Sequence, residues 1–155
     1  MLLLLVSALL IGVIAGLRAL TAPAIVSWGA ALGWFDVSST PLAFMGFRWT
    51  PWIFSLLALL ELVTDQLPST PSRKVPPQFG ARVVMGALAG ATLGASGGQL
   101  ILGLIAGIVG AVIGTFGGAA GRGKLAASFG KDRPAAIIED VIAIGAAVLI
   151  VRYLH

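Results

Sequence analysis

Apolar residues run almost unbroken along this chain, and the few polar positions divide it into segments of membrane-crossing length. From Met1 to Phe35 the only charged residue is Arg18, and from Val83 to Gly121 there is none. A helix that crosses a bilayer needs about 20 mostly apolar residues. The first is predicted from about Leu2 to Leu20. The uncharged run would measure about 58 Å as a helix, enough for two crossings. Its natural fold point is Ser96-Gly97-Gly98-Gln99, a turn-closing cluster, which gives helices near 80–96 and 99–119. Another starts at Thr50-Pro51, a hydroxyl N-cap with proline in the first turn, and runs to about Leu67. The last begins at Pro134 and ends near Tyr153. That makes five crossings. Residues 22–35 reach only about 21 Å as a helix, short of the ~30 Å hydrocarbon core. A half-helix dipping into the membrane, or one lying at its interface with Trp28 and Trp34 as anchors, fits that length.

Composition narrows the class. Of the 155 residues 58% are hydrophobic and 10% charged, with a mean hydropathy of +1.02. So few charges cannot cover a water-facing surface, since soluble domains carry about 25% charged residues. The absence of cysteine excludes a disulfide framework, and His155 alone cannot form an imidazole metal cluster. No cofactor is indicated. The fold class is an all-α polytopic integral membrane bundle forming one domain over 1–155, with the lipid bilayer as its partner.

The basic residues set an orientation. Arg73, Lys74, Arg82, Arg122, Lys124, Lys131 and Arg133 fall on one side of a five-span scheme; Arg18, Arg48 and Arg152 fall on the other. The positive-inside rule then makes the basic loops and the N-terminus cytoplasmic. The net charge of +4 is a topology signal, and its scatter between apolar spans argues against a nucleic-acid partner.

Two patterns suggest how the helices associate. Leu10-Ile11-Gly12-Val13-Ile14-Ala15-Gly16 matches Ile101-Leu102-Gly103-Leu104-Ile105-Ala106-Gly107 in residue class. Each is followed by a broken stretch (21–35 and 114–130) and then a proline-initiated span carrying acid. Units 2–67 and 99–153, with 80–96 between them, would form an inverted repeat, as in many small transporters; chance similarity of two Gly/Ile/Leu-rich helices is the alternative. Gly86, Gly90, Gly94 and Gly98 recur every four residues, and Gly103, Gly107, Gly110, Gly114 and Gly117 continue a smooth face. Close backbone contact of this kind holds membrane helices together. A glycine face left unused would serve a homodimer.

Acids inside apolar spans carry the candidate chemistry. Glu61 lies about 15 Å past Pro51, near mid-bilayer, with Asp65 on the same face. Burying such a carboxylate costs at least about 2.5–3.5 kcal/mol, so it faces a base, a bundle interior or water. Glu139 and Asp140 point roughly 100° apart, so at most one should face the same site. Arg18 and Arg82 are the bases near enough to pair. One reading makes Glu61 and Asp65 the heart of a cation- or proton-handling cavity; the other makes Arg18–Glu61 or Arg82–Asp65 a static pair fixing register. The proline-dense connection around Ser72-Arg73 could present a hydroxyl and a guanidinium to a phosphate, or act as a stiff basic connector at the anionic leaflet.

Gly16-Leu17-Arg18, Glu61-Leu62-Val63-Thr64-Asp65-Gln66-Leu67-Pro68 running into Thr70-Pro71-Ser72-Arg73, and Ala81-Arg82-Val83-Val84-Met85-Gly86-Ala87-Leu88 resemble small bacterial membrane proteins of domain of unknown function 4126. The resemblance covers nearly the whole chain. It implies a helical membrane fold and singles out Arg18, Glu61, Asp65, Ser72, Arg73 and Arg82, without implying an activity. The functional expectation is a small transporter or channel-like protein of the bacterial inner membrane, not an enzyme, working through Arg18, Glu61, Asp65, Arg82, Glu139 and Asp140. The alternatives are a membrane-embedded lipid-phosphate enzyme using Ser72 and Arg73, and a structural or assembly subunit.

Overall fold

A computed structural model describes residues 2–64, 76–130 and 132–154; 83% of it is helix, with no strand among those residues. Six α-helices follow one another: α1 (Leu2–Leu17), α2 (Thr21–Ala31), α3 (Thr50–Thr64), α4 (Pro76–Ser96), α5 (Leu100–Phe129) and α6 (Asp132–Leu149). A 3-10 turn covers Ala43–Gly46, and a wider turn, Ile150–Leu154, closes α6. Among the described residues two helices, over Pro77–Ser96 and Leu100–Gly121, are long and apolar enough to cross a membrane, while Leu2–Leu17 and Thr50–Glu61 are shorter apolar helices.

The turns fall where backbone geometry demands glycine. Gly98, between α4 and α5, has φ +76, and Gly33, just beyond α2, has φ +81, values a β-carbon disfavours. The stretch 114–130, expected to be broken like 21–35, instead lies within the unbroken α5 as far as Phe129. Its glycines are spaced among alanines and apolar residues with no proline, so nothing there interrupts the backbone hydrogen bonds.

Helix directions follow from which residues meet. Gly12 lies against Gly107, and Gly16 against Gly114 and Thr115, so α1 and α5 run parallel. Gly86 meets Ala15 and Ala111, Gly90 meets Gly103 and Gly107, and Gly97 meets Leu4. Thus α4 is antiparallel to both. At these crossings backbone touches backbone: a β-carbon on Gly107 would collide with the Gly86 carbonyl, and one on Gly90 with the Gly103 carbonyl. Helix α2 folds back along α1. Arg18, just before it, pairs with Asp140 of α6, Gly29 near its end meets Val151, and α1 also touches the 150–154 turn. Helix α3 is antiparallel to α2, since Glu61 reaches Ala19 and Leu20 while Trp28 meets Ser55 and Trp52.

These directions differ from the sequence-based scheme. One crossing between the first and third predicted spans would leave α1 and α4 parallel; they are antiparallel, because α2 turns back before α3 rises. Nor does one inversion relate 2–67 to 99–153. The matched glycine segments lie on parallel helices, α1 and α5, whereas the acid-bearing helices, α3 and α6, run opposite ways. The start of α1 therefore lies at the same end as residues 32–49, the α4–α5 turn and the 150–154 turn, called here the aromatic end. The start of α4, the end of α5 and the start of α6 form the other, basic end. A buried apolar cluster forms where α1, α2, α4, α6 and the 150–154 turn converge, with Ile11, Ile14, Val26, Leu93, Ala147 and Val151 buried together.

Candidate functional site

The site is a layer of charge around the turn between α1 and α2. Two sequence signals make that turn. Pro23 stands in the first turn of α2, where its missing N–H is no loss, and Arg18-Ala19-Leu20 is too short for more than a sharp reversal. A reversal between helices leaves orphan carbonyls on one side and orphan N–H groups on the other. The residue capping α2, Leu20, has no side-chain oxygen to offer. The partners come instead from distant segments.

Glu61 of α3 supplies the acceptors: its Oε1 takes the N–H of Ala19 and its Oε2 the N–H of Leu20, both at 2.8 Å. Arg82 of α4 supplies the donor: its Nη1 gives a hydrogen bond of 3.1 Å to the carbonyl of Gly16. The same guanidinium stands 3.9 Å from Glu61 Oε1. Arg18, in the turn itself and fully buried, donates through Nε to Asp140 Oδ1 on α6. Its Nη2 forms an ion pair with that oxygen and lies 3.9 Å from Glu139 Oε1. Glu139 is 7% exposed, Glu61 10% and Asp140 15%. In such low-dielectric surroundings each charge–charge and charge–dipole bond is stronger than in water, and each lost partner costs more. The layer thus binds the turn, α3, α4 and α6 into one electrostatic unit.

Five of the residues named from sequence, Arg18, Glu61, Arg82, Glu139 and Asp140, therefore meet at one place. Asp65, Ser72 and Arg73 lie outside the described residues. Arg18 meets the acids of α6 and Glu61 stands beside Arg82, while the expected Arg82–Asp65 pair lies outside the described residues. Glu139 and Asp140 both approach Arg18, against the expectation that at most one of them would face the same site. What the sequence reading lacked was the backbone's share. The N–H groups of Ala19 and Leu20 and the carbonyl of Gly16 are site atoms that carry no residue signature. The proline at position 23 was the available signal, since it marks a helix start and hence unpaired N–H groups just before it.

The layer sits off-centre along the bundle. Gly16 packs against Thr115 of α5, which is about 22 Å from the start of that helix at Leu100 and about 9 Å from Gly121, where its apolar stretch ends. Below the layer α2 and α3 are joined by Trp28, whose Nε1 donates to Ser55 Oγ at 2.7 Å and whose ring meets Trp52 edge-on at 5.1 Å. No family model, curated protein or solved structure matches the chain.

Proposed function

We propose that this protein is a small multi-pass transporter or channel-like protein of a bacterial inner membrane, moving protons or a small cation past Glu61 and Asp140. The observation that carries the reading is the convergence of Arg18, Glu61, Arg82, Glu139 and Asp140 on a buried reversal between two short helices. Broken or reversing helices with ionisable groups gathered at their ends are how membrane transporters build sites, because non-helical backbone at membrane depth must be buried in protein or line a cavity. Ionisable residues within spans are functional by default.

In this reading α1 and α2 form a re-entrant hairpin entering from the aromatic end, with the charge layer at its tip. Four helices, α3 to α6, cross. This replaces five crossings and a dipping 22–35 segment, and direction supports it: α2 turns back along α1 towards the aromatic end before α3 rises. The segments 68–82 and 121–133, with seven of the ten Lys and Arg residues, then share one side with the hairpin tip. The positive-inside rule makes that side cytoplasmic and puts the start of α1 on the opposite side, not with the basic loops.

Full-length protein in liposomes holding a pH-sensitive dye, with a potassium diffusion potential imposed, tests the reading. Expected is proton or sodium flux above that of protein-free vesicles, lowered in Glu61→Gln and in Asp140→Asn. Flux equal to that of protein-free vesicles for protons, sodium and potassium alike would leave the second reading. There the layer is a static clasp, which the two backbone bonds of Glu61 favour, and the chain is a structural subunit. In that case both variants lower thermal stability without altering any flux.

A further inference from the structure

The aromatic end carries a surface that the charge layer does not use. All four tryptophans lie on that side of the layer. Arg48 stands over the Trp49 ring at 5.1 Å, and Arg152 over the Trp34 ring at 5.4 Å. Arg152 comes from far along the sequence, yet both pairs lie at this end: Arg152 is about 18 Å beyond Asp140 along α6 and its closing turn, and Trp34 packs beside Gly29 at the end of α2.

The segment bearing Trp49 is pinned in place. Met45 is fully buried beneath it, Ser27 Oγ donates to the Met45 carbonyl at 2.6 Å, and Thr50 Oγ1 donates to the Phe44 carbonyl at 2.6 Å. With Met45 drawn inward, its neighbours are pushed out: Phe47 and Trp52 are 60% exposed and Trp49 65%. The acid at this end, Asp36, is engaged by Ser38, whose N–H donates to Oδ1 at 2.9 Å and whose hydrogen bonds hold the carboxyl below its usual range. The exposed surface is thus rigid, aromatic and cationic at two points.

We infer that residues 36–53, with Arg152, form a phospholipid headgroup anchor at the aromatic end. Arg48 and Arg152 contact headgroup phosphates, while Phe47, Trp49 and Trp52 lie in the carbonyl layer just beneath. The chemistry is specific to that boundary. An indole prefers the membrane–water interface. A guanidinium lying over a ring gains attraction from its face while keeping N–H donors at its edge for phosphate oxygens. The charge is complementary to the phosphate layer of either leaflet, so no anionic lipid is needed. The inference rests on the membrane reading above, and its failure is separable from that reading's failure.

The test uses the native tryptophans of the full chain in phosphatidylcholine vesicles carrying a nitroxide at the headgroup or bromine deep in the acyl chains. Stronger quenching by the headgroup probe is expected. In the double variant Arg48→Ala with Arg152→Ala the headgroup-to-deep quenching ratio should fall as the indoles sink, and Arg48→Lys with Arg152→Lys should restore much of it. Stronger quenching by the deep probe in the native protein overturns the anchor while leaving the protein in the membrane. A ratio unmoved in the alanine variant, with native circular dichroism, overturns the role of the arginines. Quenching by neither probe overturns both the anchor and the membrane reading.

Discussion

The α1–α4–α5 trio and the α2–α3 pair are held in opposite ways. In the trio, Gly12, Gly90, Gly103 and Gly107 bring backbone against backbone, so contact is continuous and needs no polar group. Helix α3, by contrast, packs against α2 and the 3-10 turn and turns Ile53, Leu56, Leu59, Leu60 and Val63 outward. It is tied inward at named points: Glu61 on the α1–α2 turn and Ser55 and Trp52 on Trp28. Many weak contacts resist any single loss of side chain but tolerate no added atom. A few strong ones behave the other way, tolerating added bulk outside and failing when one group is removed. A molecule built from both has a stiff half and a half that can be released by changing one charge.

The largest effect is expected from removing the charge that ties the turn between the two halves to α6. Arg18→Ala leaves Asp140 and Glu139 facing an empty buried site, a loss of about 3–5 kcal/mol for such truncations; thermal unfolding in detergent should show it, and Arg18→Ala with Asp140→Asn should recover part. Next in size, Gly107→Ala puts a methyl group against the Gly86 carbonyl. Overpacking of this kind costs about 1–3 kcal/mol, and it should lower the melting temperature of the whole bundle, not of one segment. The smallest change, Trp28→Phe, keeps the ring near Trp52 but deletes the donor to Ser55, worth about 0.5–1.5 kcal/mol. Hydrogen exchange should then rise in α2 and α3 while α4 and α5 keep their protection. Equal exchange increases in both halves would erase the distinction.

Much of the secondary structure was legible because apolar run length, proline and glycine are local signals. Thr50-Pro51 begins α3 and the Ser96–Gln99 cluster makes the α4–α5 turn as read. Charge in an apolar setting is equally local, so Arg18, Glu61, Arg82, Glu139 and Asp140 could be named in advance. Helix direction was not legible. It turned on whether the residues after Arg18 fold back along α1, and run length alone cannot tell a half-crossing from a return. Which arginine meets which acid was hidden for the same reason, since the pairing is set by how four segments converge and not by spacing along any one of them. The assembly of the turn's backbone groups into the site lay beyond residue identity altogether.

The partners of the α1–α2 turn lie 42, 66 and 122 residues away along the chain from the groups they satisfy. The α1–α2 reversal is synthesised before α3, α4 and α5, and stays polar and uncapped while they are still being translated. Its last clasp, Asp140, is synthesised only after all three of these helices. Until then the newborn turn has reason to stay near water, and its final seating becomes a late checkpoint on the integrity of the helices that follow it.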